Sequence, residues 1–262
     1  MKLSISDIGW TADQDEDVYE LMQCLGFKGL EIAPTRIFPS TPYEKKEDAK
    51  VWSRRLFDRY GLSVSSMQSI WYGVSDKIFG DNDERTRLIE YTKKAVDFAA
   101  LIKCGNLVFG CPKNRVMPEG ADPQAGITFF HEIGEYAYLH GTVIGMEANP
   151  TIYNTNYINT TSSAIELIRS VDSRGFRLNL DVGTIIANAE DINELDGNID
   201  LINHVHISEP MLRPIEKKDL HKNLVRKLIS GKYDGYISIE MGKGQTVSQI
   251  DQIMEYVRGI FY

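Results

Sequence analysis

One phrase recurs along the chain: an amphipathic stretch, a glycine, then a short apolar run rich in Val, Ile and Leu. It appears as LGFKGLEI at Gly26, YGLSVSSM at Gly61, CGNLVFG at Gly105, HGTVIGME at Gly141 and RGFRLNLD at Gly175, with DGYISIE at Gly235 as a variant. The phrase reads as helix, cap, strand, because glycine just past a helix end takes the left-handed conformation without a side-chain penalty. The apolar runs predict strands beginning near Lys28, Leu62, Asn106, Thr142, Phe176 and Tyr236. A first strand near Leu3 to Ile8, and one lacking the glycine at Ile202 to Ile207, bring the total to eight. Helical periodicities lie between them. The clearest is Leu88, Tyr91, Ala95, Phe98, Ala99 and Ile102, spaced by three and four, with Asp83 and Glu84 suited to that helix's start.

The alternation of helix and strand never stops, and no Pro/Gly/Ser-rich linker divides it. A single domain over residues 1–262 is the economical expectation. Eight parallel strands separated by helices close most readily into a (β/α)8 TIM barrel, with a doubly wound open sheet as the alternative. No GxGxxG or GxxxxGK[ST] follows the early strands, which removes the usual nucleotide-binding versions of the open sheet.

Composition narrows the class. Hydrophobic residues at 42% and charged residues at 25% are too apolar for a disordered chain. With 29 Lys+Arg against 37 Asp+Glu the net charge is -8, which argues against a nucleic-acid surface. Cys24, Cys104 and Cys111 form no CxxC pair, so neither a disulfide framework nor a thiolate zinc cage is signalled. No apolar run approaches the roughly 20 residues of a membrane span, and MKLSISDIGW does not read as a cleaved leader. The expectation is a soluble cytoplasmic protein with no membrane partner.

In such barrels the site is built at the carboxyl ends of the strands. Strand five, VIGMEANP, ends at Glu147; strand six, FRLNLDVG, at Asp181; strand seven, INHVHISE, contains His204 and His206; strand eight, YISIEMG, ends at Glu240. Side-chain alternation sharpens the pattern. If Ile237 and Ile239 face the helices, Ser238 and Glu240 point inward; Leu178 and Leu180 likewise send Asn179 and Asp181 in, and Val205 and Ile207 send both histidines in. Carboxylates packed together at a barrel mouth repel and take up protons unless a cation offsets them. A divalent ion does that. The mixed carboxylate and imidazole set favours Mn, Mg or Co, with Zn as the further option.

GMEANP, LDVG, HVHISE and YISIEMG, in that order and spacing, resemble the xylose isomerase-like TIM-barrel family of sugar phosphate isomerases and epimerases. The resemblance implies one metal held by Glu147, Asp181, His206 and Glu240. One departure stands out: many ketose epimerases of the family show a substrate-contacting histidine where this chain has Thr184. Hydroxypyruvate isomerase and the inosose or dehydroshikimate dehydratases are the alternative relatives, and a non-catalytic metabolite-binding barrel is the reading from another class.

The chemistry expected is proton abstraction next to a carbonyl of a small sugar or sugar phosphate through a metal-stabilised enediolate, with Glu147 and Glu240 as the proton-transfer pair. Candidate substrate contacts are His204, Glu31, Trp71, Glu209 and Arg213. His204 also suits a supporting role beside His206, Glu31 a plain rim position, and Trp71 with Tyr72 plain packing. Arg115 or Arg213 offers a fork for a phosphate or carboxylate, against solvated surface charges at these positions and at Lys113. Loops at 38–49, 73–83 and 112–125 are long enough for lids. The apolar C-terminal helix is expected to join the core; a homo-oligomer is left open.

Overall fold

The computed structural model describes residues 1–262. Its eight strands are β1 (Lys2–Ser6), β2 (Gly29–Ile32), β3 (Ser63–Met67), β4 (Leu107–Phe109), β5 (Ile144–Met146), β6 (Phe176–Asp181), β7 (Ile202–Ser208) and β8 (Tyr236–Glu240). They pair in parallel, in sequence order, and β8 returns to β1: a closed (β/α)8 barrel rather than an open sheet. The helices are α1 (Asp15–Cys24), α2 (Pro34–Ile37), α3 (Lys46–Tyr60), α4 (Asn82–Leu101) and α5 (Gln124–Leu139) in the first half. In the second half come α6 (Thr161–Val171), α7 (Val182–Asn188), α8 (Asp219–Ser230) and α9 (Val247–Phe261).

The apolar parity of the strands builds the layer between barrel and helices. Leu3, Ile5, Leu178, Leu180, Val205, Ile207, Ile237 and Ile239 are all buried in one continuous core, and Ile250, Met254, Val257 and Phe261 of α9 join it. The C-terminal helix is therefore core. The opposite parity fills the barrel axis with polar groups instead of the usual branched apolar layers. Ser4 Oγ lies 2.6 Å from Ser65 Oγ, and Asn106 Nδ2 donates to Ser66 Oγ at 2.9 Å. Gly145 leaves room for this ladder, since a Cβ there would sit 2.6 Å from Asn106 Oδ1.

The recurring glycines do not share one role. Gly26, Gly61 and Gly141 have φ of +79, +69 and +73, as the cap reading requires, whereas Gly105, Gly175 and Gly235 are not left-handed. Near these three, Lys103, Asp172 and Lys232 take the left-handed turn instead. At Gly175 the constraint is space: a Cβ would lie 2.0 Å from the Gly134 carbonyl oxygen. At the start of α4 the cap is Asp81, whose carboxylate accepts from Glu84 N at 2.8 Å, with Asp83 and Glu84 in the first turn. In the stretch at 38–49, Tyr43 is buried and its Oη donates to Ile70 O at 2.7 Å, most of its neighbours are exposed, and α3 starts at Lys46.

At the end of β1, Asp7 is fully buried. One oxygen accepts from Ala33 N at 2.9 Å; the other has no hydrogen-bond partner, with Arg36 Nη1 3.6 Å away. Burial outweighs Arg36 and pushes its carboxyl up to about 7. Between its unfolded value near 4 and about 7 the folded state therefore holds a proton the unfolded chain has lost, so Asp7 lowers stability as pH rises through that window. Asp7→Asn keeps the acceptor for Ala33 and removes this slope. Urea unfolding is expected to show the variant gaining on the wild type between pH 4 and 7, by on the order of 4 kcal/mol at the top; parallel curves would show that Asp7 does not titrate there.

Candidate metal and active site

The second half of the barrel supplies the site. Barrel stagger sets Asp181 beside His206, His206 beside Ser238, and Ser208 beside Glu240 in register, so residues of one parity on β6, β7 and β8 end at one level. Glu147 follows β5 directly. Donor atoms of Glu147, Asp181, His206 and Glu240 all lie within 4.8 Å of one another. Above them opens a cavity of about 190 Å³ whose wall includes Glu147, Asp181 and Glu240 together with Gln68, Asn149, Tyr153 and Ser208.

Each ligand-type side chain is held from behind. Asp181 caps α7: its Oδ2 accepts from the Thr184 amide at 2.7 Å and hydroxyl at 2.8 Å, and its Oδ1 from Ser208 Oγ. Thr184 turns its hydroxyl to Asp181 Oδ2 and to the Ala148 carbonyl. His206 donates from Nε2 to Glu31 Oε2 at 2.9 Å, which leaves Nδ1 facing Glu147 Oε2 at 3.1 Å and Glu240 Oε2 at 3.3 Å. Asn179 Nδ2 donates to Glu147 Oε2 at 3.1 Å.

The charges are strongly perturbed. Burial, with Glu147 and Asp181 adding to it against the pull of His206, pushes the Glu240 carboxyl up to about 7. Burial and the neighbouring Glu147 charge push Asp181 up to about 6. Burial alone would discharge His206, but Glu240 and Glu31 outweigh it and hold its pKa well above the ordinary imidazole value. Asp181 and Glu240 thus hold their protons more tightly than ordinary carboxylates, and His206 holds its own more tightly than an ordinary imidazole. Three carboxylates and one imidazole whose far nitrogen is anchored by a buried carboxylate match the donor chemistry of an oxygen-preferring divalent cation.

Several expected substrate contacts lie elsewhere. Glu31 is wholly buried beneath the cavity: Gln68 Nε2 donates to its Oε1 at 3.2 Å and His206 to its Oε2. It is neither a rim carboxylate nor placed to touch a substrate. His204 Nε2 sits 3.1 Å from the same Oε2, but off the line of a hydrogen bond, and has no other partner. Donor atoms of Glu31, His204 and His206 thus form a second, wholly buried group close enough together to hold an ion, beneath the one that faces the cavity. Trp71 leaves β3 on the outward side. It is buried, donates from Nε1 to Thr92 Oγ1 at 2.9 Å and packs edge-on against Phe109 and Phe129, while Tyr72 is exposed.

Glu209 borders the cavity, but its Oε1 is committed to Lys218 Nζ at 3.3 Å and the Glu216 amide at 3.2 Å. Arg213 is exposed, because left-handed turns at Met211 (φ 62) and Leu212 (φ 55) bring Leu212 to the cavity wall in its place. Lys113 is exposed as well, whereas Arg115 is fully buried and faces the main chain, so it is neither a surface charge nor an open anion fork. Asn149, Ser208 and Gln68 were not anticipated. Two of them share the parity of residues that were: Asn149 stands two beyond Glu147, and Ser208 two beyond His206.

The sequence model of the xylose isomerase-like TIM barrel matches residues 19–260. The chain belongs to that family. No curated protein matches the chain in sequence. Among solved structures, this xylose isomerase-like barrel is similar to D-psicose 3-epimerase with D-tagatose from Clostridium cellulolyticum H10, at 15% identity and a TM-score of 0.78, covering 100% of this chain and 99% of that one. It is also similar to D-allulose 3-epimerase from Methylomonas sp. in complex with D-allulose, at 16% identity and a TM-score of 0.79, covering 99% and 96%. A third is 3-keto-D-glucoside 4-epimerase from E. coli, at 18% identity, a TM-score of 0.74 and 99% coverage of both chains. At these identities the likeness concerns the fold.

Proposed function

We propose that this family member is a divalent-metal-dependent sugar isomerase or epimerase acting by proton transfer at a carbon next to a carbonyl. One observation carries the reading: Glu147 and Glu240 reach the cavity from β5 and β8, on different sides of the closed barrel, around a center that Asp181 and His206 complete. Glu147, Asp181, His206 and Glu240 would hold a divalent cation, which would supply Lewis-acid polarisation of a substrate carbonyl. Glu147 and Glu240 are the proton-transfer pair. One, as carboxylate, takes the proton, and the other returns one to the opposite face, inverting the carbon, or to the adjacent carbon, exchanging aldose and ketose.

The wall favours a neutral substrate. Its polar members besides the carboxylates include the amides and hydroxyls of Gln68, Ser69, Tyr153 and Ser208, which suit sugar hydroxyls, while Asn149 is engaged by Arg115 and Glu147. No lysine or arginine lines the cavity to pair with a phosphate dianion. The fold neighbours named above, solved with or named for free ketoses or a keto-glucoside, support the same choice.

The test is solvent exchange. Manganese-loaded protein in heavy water, offered D-fructose, D-tagatose and D-allulose beside their phosphate esters, is expected to place deuterium next to the carbonyl of a neutral sugar and to lose that activity on chelation. Label in none of them would sink the reading. Manganese at about 100 times its Kd is expected to raise the melting temperature by roughly 5–10 °C. Because metal must displace protons held by His206, Glu240 and Asp181, its binding at pH 6–7 is expected to release protons, seen as a buffer-dependent heat in calorimetry. Proton-neutral binding would contradict the four-residue site.

A further inference from the structure

The loop after β4 carries a dipeptide, Asn114–Arg115, that the proposed chemistry leaves unused. Asn114 pins the loop after β3: its Nδ2 donates to the carbonyls of Val74 and Asp76, each at 2.9 Å, and its own carbonyl accepts from Ile78 N at 2.9 Å. Arg115 is wholly buried. Its Nη1 donates to the Glu147 carbonyl at 2.8 Å and its Nη2 to Asn149 Oδ1 at 2.7 Å. Asn149 in turn donates from Nδ2 to Glu147 Oε1 at 2.9 Å. The loop after β5 closes round this point, with Asn149 N bonded to Ile158 O and Asn159 Nδ2 to Asn149 O.

Burying a guanidinium completely is expensive, and pinning a loop does not require it. What a guanidinium adds is a rigid planar fork that sets two acceptors in fixed relation. Here both acceptors lead to one residue: the main chain of Glu147 directly, and its carboxylate through Asn149. The other side of Oε1 is closed by β4's end, where a Cβ on Gly110 would lie 3.0 Å from it. Oε2 is the oxygen that faces His206 Nδ1.

We propose that Asn114–Arg115, acting through Asn149, is the positioning device that ties the loops after β3 and β5 to the orientation of the Glu147 carboxylate. It holds Oε1 back against Gly110 and presents Oε2 to the His206 side of the cluster. Its catalytic consequence rests on the proposed function; the orientation itself does not. Arg115 and Asn149 are positioning residues, acting only through Glu147.

The test uses the full chain and two readouts, manganese affinity by electron paramagnetic resonance and solvent exchange in whichever neutral ketose is labelled. Asn149→Asp keeps an acceptor for Arg115, so the loops and the melting temperature stay near wild type. It replaces the donor to Glu147 with a carboxylate, so manganese affinity is expected to fall about 10- to 100-fold, and exchange to fall through kcat more than KM. Asn149→Ala is expected to do the same. Arg115→Lys keeps the charge and loses the fork; combined with Asn149→Ala it is expected to be no worse than the worse single change, as members of one chain of contacts are not additive. Manganese affinity within about twofold of wild type in Asn149→Asp, or strictly additive losses in the double variant, overturns the proposal. Should Arg115→Lys not fold, the two Asn149 variants decide alone. Wild-type protein that binds manganese without any exchange would remove the catalytic reading and leave the affinity ratios to judge the positioning role.

Discussion

Replacing Glu240 with glutamine is expected to cut solvent exchange next to the substrate carbonyl by about 10²- to 10⁴-fold, the usual worth of a general acid–base group. The fold is expected to persist. Glutamine keeps the size of the side chain, and in the metal-free protein it removes a carboxylate crowded by Glu147 and Asp181. The sign follows from the raised pKa. With a folded value of about 7 and an unfolded value near 4.3, Glu240 costs stability increasingly as pH rises between them. The metal-free variant should therefore melt higher than wild type at neutral pH, with the gap closing toward pH 4. Exchange that survives unchanged in Glu240→Gln would take this residue out of the mechanism.

The second large effect is expected at Glu31, which touches no part of the cavity. Glu31→Leu leaves His206 and His204 buried without their carboxylate. Breaking a buried pair by removing one partner costs about 3–5 kcal/mol. Burial would raise the Glu31 carboxyl, but His206 and His204 outweigh it and hold it low. Its contribution is therefore present above pH about 4.3 and fades only on acidification toward its low folded value. The His206 Nε2 proton also loses its acceptor, so the ring no longer has one fixed orientation, and manganese affinity is expected to drop about 10- to 100-fold. Urea midpoints near neutrality and metal titrations check both halves. Wild-type stability in Glu31→Leu would show that the carboxylate–histidine pair is dispensable.

The ladder of sites in the second half of the chain was readable because each signal is local. Asn179, Asp181, His206, Ser238 and Glu240 follow from alternation within single strands, and the apolar parity beside them marks which face meets the helices. The same rule, extended two residues past Glu147, reaches Asn149. Where the reading went wrong, the side chain's fate depended on something outside its own strand. Trp71 follows β3 but turns into the aromatic layer of Phe109 and Phe129. Arg213 yields its place to Leu212 because two consecutive left-handed residues redirect the loop. Arg115, in a polar run that reads as surface, is covered by the loops after β3 and β5 and finds Glu147 and Asn149 inside.

Strand and helix order, the inward parity and the candidate donors were determined by sequence alone, since periodicity and caps act over a few residues and repeat along the chain. Closure of the barrel decided the rest. It sets Glu31 against His206 across 175 residues, turning an apparent substrate contact into the anchor of a ligand. It also presses Arg115 onto Glu147 and Asn149, which no local pattern specifies. Such partnerships depend on which strands are neighbours and how far they are staggered, and those quantities exist only once the strands have paired.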